Sequence, residues 1–104
     1  MIGIDLVFIP EFQRQLDIGG GAFLAAAFHV SELNDRGTEH LAGLWAAKEA
    51  VIKARGCDGT RFAEVLISHD ERGVPSASVS GQSYAISIAH HGEYAVAVAE
   101  RLSP

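Results

Sequence analysis

The stretch that most constrains this chain is Trp45 to Lys53, Trp-Ala-Ala-Lys-Glu-Ala-Val-Ile-Lys, in which two lysines and a glutamate sit among residues otherwise suited to burial. On a helix of about 3.6 residues per turn, Leu41, Leu44, Trp45, Val51 and Ile52 fall on one stripe, and Lys48 lands inside it. Glu49 and Lys53 stand one turn apart on the flank. Thr38 is placed to cap this helix, and Arg55-Gly56 stops it.

On the N-terminal side, Ile2 to Ile9 alternates as a strand. Ile4, Leu6 and Phe8 face one way and Asp5, Val7 and Ile9 the other, so Asp5 shares a face with aliphatic residues. Pro10 ends the strand. Glu11 to Ile18 and Ala22 to Phe28 read as short helices separated by Gly19-Gly20-Gly21, a hinge or turn, and Ser31 is a cap for a third with Glu32 in its first turn. The second half reads as β. Phe62 to Ser68 and Ser76 to Ser80 form a hairpin connected through Asp70 to Gly73; Tyr84 to His90 and Glu93 to Leu102 follow, joined by a tight turn at His91-Gly92. Tyr84, Ile86 and Ile88 share a face, as do Tyr94, Val96 and Val98. One strand, a helical block and then strands predict an α+β fold, with residues 1–104 as one domain.

Composition narrows the function classes. With 48% hydrophobic and 20% charged residues the chain is an ordinary globular domain, and at 104 residues it is small enough that a site completed between copies is reasonable. A single cysteine, Cys57, excludes an internal disulfide and any multi-cysteine metal site; it reads as a loop bystander in a reducing compartment. The formal net charge of −5 argues against non-specific nucleic-acid binding and weakly against an acidic partner. No apolar run reaches the roughly 18 residues of a membrane span, and no basic segment precedes an apolar block, which predicts a cytoplasmic protein.

Asp5 and Glu49 are the residues that chemistry singles out, because both are carboxylates beside apolar surface on regular elements. Such hard oxygen ligands suit Mg²⁺, which takes one or two carboxylates and completes its shell with water and substrate phosphate. The competing assignment is a Glu49–Lys53 pair along the helix, worth about 0.3–0.5 kcal/mol, with Asp5 bonded to backbone. Lys48 and Lys53 are candidates for a diphosphate contact, with Lys53 also placed to protonate a leaving phosphate; Lys48 alternatively snorkels along apolar surface. His90 closes an alternating strand, either as a hydrogen-bonded core histidine or as a base in a cleft, and His29, His40, His69 and His91 show no metal-site spacing with it. Serine nucleophile elbows, Walker loops and paired cysteines are all missing.

Four stretches in this order resemble the short 4′-phosphopantetheinyl transferases of the holo-acyl-carrier-protein synthase type: Gly3-Ile4-Asp5-Leu6-Val7; Phe23 through Ser31-Glu32-Leu33; Trp45 through Lys48-Glu49-Ala50 to Lys53-Ala54; and Ser87-Ile88-Ala89-His90 with Tyr94-Ala95. The third is the most specific: an aromatic residue, then lysine-glutamate, then lysine one helical turn on. The resemblance implies an antiparallel sheet packed against a long central helix. It also implies that Asp5 and Glu49 bind Mg²⁺ with the diphosphate of coenzyme A, that Lys53 stabilises or protonates the departing adenosine 3′,5′-bisphosphate, that Lys48 helps hold phosphate, and that His90 sits at the coenzyme A site. The acceptor is a serine of an apo acyl carrier protein from fatty-acid or polyketide assembly, and short members form trimers with coenzyme A between subunits. Several positions depart from the family's usual residues. The chain has Phe8 for an acidic residue, Glu11 for arginine, Leu44 for arginine, Val74 for lysine, Ala89 for serine or threonine, and His91 for threonine. Arg14, Arg36, Arg55 and Arg61 are candidates to compensate. These departures and the negative charge motivate a second reading, a catalytically impaired relative that binds a carrier protein or an assembly-line enzyme.

Overall fold

The structure, a computed structural model, describes residues 1–35 and 37–103. Strand β1 (Ile2–Phe8) leads into helix α1 (Ile9–Ala27); a 3-10 turn at Val30–Glu32 precedes helix α2 (Thr38–Ala54); a second such turn at Phe62–Glu64 precedes β2 (Leu66–His69), β3 (Pro75–Val79), β4 (Gln82–His91) and β5 (Tyr94–Arg101). The strands form one sheet in the order β1-β5-β4-β3-β2, antiparallel throughout. The α+β expectation holds, with α2 as the central helix.

What distinguishes the fold is how close α2 lies to the sheet. The inner face of β5 carries Ala95, Ala97 and Ala99, and the facing side of α2 carries Ala46, Ala47 and Ala50, all essentially inaccessible. A Cβ on Gly3 of β1 would lie 1.9 Å from the Ala50 carbonyl oxygen, so only glycine lets strand and helix backbones meet there. At the other end of the helix, a Cβ on Gly43 would lie 3.0 Å from the His90 ring and 3.1 Å from Ile88. The helix therefore crosses the sheet from β4 to β1. Large aliphatic side chains fall on the opposite sheet face: Ile2, Ile4 and Leu6 are 62, 57 and 63% exposed, and Tyr94 and Val98 stand on the same side. The Tyr94-Val96-Val98 alternation is present, but its alanine side is the buried one.

Helix α1 closes the other side of α2 through an aromatic cluster. Trp45 stacks 4.0 Å from Phe62 and 5.2 Å from Phe23, ring centre to ring centre, with Phe12 at 5.8 Å. The glycine triplet is a break inside α1 at Gly20 (φ 53°, ψ −139°), so the two expected helices are segments of one kinked element. Two caps differ from expectation. Gly37 precedes α2, while the Thr38 hydroxyl donates to Gln13 Oε1. The turn after α1 is capped by His29, whose ring accepts from Ser31 N while Glu32 accepts from His29 N, a reciprocal capping box that starts two residues before Ser31. The expected strand from Phe62 begins at Leu66 because Phe62–Glu64 is helical, and His91 pairs with Tyr94, which makes Gly92-Glu93 the two-residue turn.

Candidate active site

Asp5 points from the inner face of β1 and is buried, two residues along from the Gly3 contact. Because Gly3 brings the strand against α2, the short Asp5 side chain reaches Glu49 and Lys53. Its carboxylate accepts from Lys53 Nζ at 3.0 Å and lines one cavity with Glu49. Lys53 also donates to Ile4 O at 3.1 Å. Thus Lys53 pairs with the strand rather than along its own helix. Burial first, then the hydrogen bond and charge of Asp5, push Glu49 up to about 7, with Lys53 pulling the other way. The hydrogen bond to Asp5 is the main cause holding Lys53 above its ordinary value. Asp5, Glu49 and Trp45 line a cavity of about 140 Å³ together with Glu11 and Gln15 of α1.

The two carboxylates fit a divalent cation of the magnesium type. They project from rigid neighbouring elements and face one cavity with space for further ligands. Among the described residues no cluster of three or more histidine, cysteine or acidic side chains could hold a metal, so substrate and water would complete the shell.

Lys48 belongs elsewhere. It is fully buried, and its three N–H bonds go to Glu32 Oε1 (2.8 Å), Phe62 O (3.1 Å) and Val65 O (2.5 Å). Burial lowers its pKa against the opposing pull of Glu32. With no donor left over, Lys48 has nothing to offer a phosphate, which corrects the phosphate contact expected of it, and buried as it is it does not snorkel either. Glu32 was missed from sequence as its partner: Glu32 Oε2 also accepts from Ile67 N, so one ion pair ties together α2, β2 and both 3-10 turns. The signal available was the isolated lysine in an apolar stripe, which demands a buried anion somewhere.

His90 lies on the other flank of α2, with its Nε2 2.9 Å from Glu39 O, in a cavity of about 400 Å³ that shares no lining residue with the Asp5–Glu49 cleft. Among the candidate arginines, Arg55 is engaged by Asp58, Thr60 and Gln82, and Arg61 pairs with Glu64 at the surface. Arg14 is exposed, and Arg36 lies outside the described residues. Cys57 is exposed in the loop after α2.

Fold and site together describe a small α+β domain in which two carboxylates from a strand and the central helix share a cavity and a lysine pairs with one of them. The family model for the 4′-phosphopantetheinyl transferase superfamily matches residues 1–99. Curated relatives include the holo-[acyl-carrier-protein] synthases of Verminephrobacter eiseniae (36% identical, covering 94% of this chain and 89% of the relative) and Mycobacterium ulcerans (37%, 94% and 92%). A crystal structure of the Helicobacter pylori holo-[acyl-carrier-protein] synthase in complex with coenzyme A superposes with a TM-score of 0.91 at 29% identity, covering 98% of this chain and all of that one. The Bacillus anthracis synthase with coenzyme A (3′,5′-ADP) gives 0.83 at 32%, covering 96% and 93%. The chain belongs to the 4′-phosphopantetheinyl transferase superfamily.

Proposed function

We propose that this protein, acting through residues 1–104 as a single domain, transfers the 4′-phosphopantetheine arm of coenzyme A to a serine of an apo acyl carrier protein in a Mg²⁺-dependent reaction. The observation that carries this reading is the pair of carboxylates, Asp5 and Glu49, lining one cavity, with Lys53 bound to Asp5. The similarity to holo-[acyl-carrier-protein] synthases, two of them solved with coenzyme A, supports the donor and acceptor classes.

Asp5 and Glu49 would hold the metal with oxygens of the donor diphosphate. Bound there, magnesium supplies positive charge against the charge that develops on the diphosphate. Glu49 must give up its proton for this role. Lys53 is suited to the leaving group: its ammonium is half exposed and uses two of its three N–H bonds on Ile4 O and Asp5, which leaves one for a phosphate oxygen. The carrier serine oxygen forms the new bond to the pantetheine-bearing phosphorus, the bond from that phosphorus to the bridging oxygen breaks, the serine proton passes to the departing phosphate, and adenosine 3′,5′-bisphosphate leaves against Lys53. The nucleophile comes from the partner, which accounts for a site without its own serine or cysteine.

The working form in this reading is a cytoplasmic homotrimer with coenzyme A between subunits. Two features support the assembly. The outer sheet face exposes Ile2, Ile4 and Leu6 side by side, and the carboxylate cleft and the His90 cavity lie on opposite flanks of α2, so a donor touching both would reach from one copy to the next. No helix among the described residues is long and apolar enough to cross a membrane.

Incubation with coenzyme A, Mg²⁺ and a panel of apo carrier proteins from fatty-acid and polyketide assembly should add one phosphopantetheine mass to at least one carrier. No addition to any carrier, together with no Mg²⁺-dependent coenzyme A binding by calorimetry, would instead favour the impaired relative that binds a carrier protein or an assembly-line enzyme.

A further inference from the structure

The nucleophile of the proposed reaction belongs to the partner, so the residues beside that serine come against the rim of the carboxylate cleft. Helix α1 supplies this rim: Glu11 and Gln15, one helical turn apart, line the cavity with Asp5 and Glu49. Glu11 stands in the first turn of α1, is exposed, and has no hydrogen-bond or ion-pair partner among the described residues. No lysine or arginine lines the cleft among the described residues: Lys53 is spent on Asp5 and Ile4 O outside the lining, and Arg14, exposed three residues on from Glu11, lies outside it too. A second exposed carboxylate, Glu93 of the β4–β5 turn, stands by the start of α1, where its backbone carbonyl accepts from Ile9 N at 2.7 Å. Beyond Asp17, which accepts from Gln13, α1 carries no charged residue up to its end at Ala27. Lys53 and a bound cation answer the charges of Asp5 and Glu49, whereas nothing described answers Glu11.

We infer that Glu11 is a specificity-determining residue that filters acceptors by charge: the protein favours a carrier segment with a basic or neutral residue beside the serine and disfavours one with a carboxylate there. The inference rests on the transferase reading above and names the acceptor class of that same site. Like charges brought together at an interface rim repel and slow the encounter, and opposite charges speed it. Arginine, the family's usual residue at this position, would filter with the opposite sign. A first-turn glutamate also steadies the N-terminus of a helix, but that contribution is the same for every acceptor and cancels when two of them are compared.

The test uses two forms of one apo carrier that differ only in the residue preceding the acceptor serine, lysine in one and aspartate in the other, each supplied with coenzyme A and Mg²⁺ at low ionic strength. The ratio of their kcat/KM values should favour the lysine form by about tenfold, carried mainly by KM, and should shrink as added salt screens the contact. Glu11→Gln should bring the ratio close to that of uncharged rims, near one, and Glu11→Arg should invert it. A preference for the aspartate form in the unaltered protein, or a ratio that both substitutions leave unmoved, overturns the inference while leaving the transferase reading intact. Transfer to neither form, nor to any carrier of a wider panel, overturns the transferase reading, and this inference with it.

Discussion

Gly3 of β1 lies directly beneath Ala50 of α2, so close that a Cβ on the glycine would stand 1.9 Å from the alanine carbonyl oxygen and 2.7 Å from Ala54 N. Both obstacles are backbone, and neither can swing away. Gly3→Ala is therefore expected to destabilise the protein by about 3 kcal/mol, the upper end for overpacking. By lifting β1 it should also separate Asp5 from Glu49. Chemical denaturation and Mn²⁺ binding, with Mn²⁺ standing in for Mg²⁺, should both show the loss; native stability in this variant would refute the close contact.

Removing Lys48 leaves Glu32 charged and buried. Lys48→Met is expected to cost about 3–5 kcal/mol, and adding Glu32→Gln should recover a large part of it, a coupling that a double-mutant cycle measures. A Lys48→Met protein that melts like the unaltered one but binds coenzyme A poorly would return Lys48 to the phosphate site.

Glu49 fixes two pH dependences of opposite sign. Its folded pKa of about 7 lies above its ordinary 4.5, so the metal-free fold holds a proton that the unfolded chain releases. That contribution is fully present below about pH 4.5 and declines as the pH rises to about 7. Metal affinity runs the other way, weakening by about tenfold per pH unit below about pH 7 and levelling off above it. Denaturation in chelator at several pH values, beside Mg²⁺ titrations, checks both. Glu49→Gln should remove this contribution to the stability slope together with transfer activity, and undiminished transfer in that variant would sink the assigned mechanism.

Gly43→Ala separates helix propensity from site geometry. Alanine favours the helix by up to about 1 kcal/mol, which offsets the few tenths of an ångström that the His90 ring and Ile88 must yield. The melting temperature should thus change little, whereas the coenzyme A dissociation constant should rise about threefold or more as His90 shifts, roughly 0.7 kcal/mol. Unchanged coenzyme A binding would dissociate His90 from the donor site.

Ile4→Glu places a charge on the outer sheet face without touching the cleft, since only the backbone carbonyl of Ile4 contacts Lys53. Sedimentation should show the unaltered protein as a trimer and the variant as a smaller species with reduced transfer. A variant that keeps the native mass would show that copies do not meet through this face.

The strands and the long helix were legible in the sequence because each rests on a short-range regularity, alternation or helical spacing, whereas Asp5 was joined to Glu49 and Lys53, 44 and 48 residues on, only through the family resemblance. Which face of β5 turns inward was not legible, since hydropathy favours Tyr94, Val96 and Val98 over the alanines that α2 covers. The choice follows from the closeness of helix and sheet, set by Gly3 and Gly43, and no window of neighbouring residues contains both partners of either contact. Lys48 shows the same limit. Its place in the apolar stripe was readable, but its anion comes from Glu32 and its remaining acceptors from Phe62 and Val65, so the lysine looked available for phosphate when it is not.

The Lys48 arrangement also bears on the order in which the chain assembles. Its ammonium cannot leave water until acceptors 14, 16 and 17 residues away in sequence have all converged, and a partial set would strand a charge in an apolar interior. The β4–β5 hairpin, local and joined by a two-residue turn, carries no such requirement and is free to form early. Closure of Lys48 is then expected late in folding, because only the complete set of partners offsets the loss of water, which disfavours compact states in which the segments around Glu32 and Val65 are mispositioned.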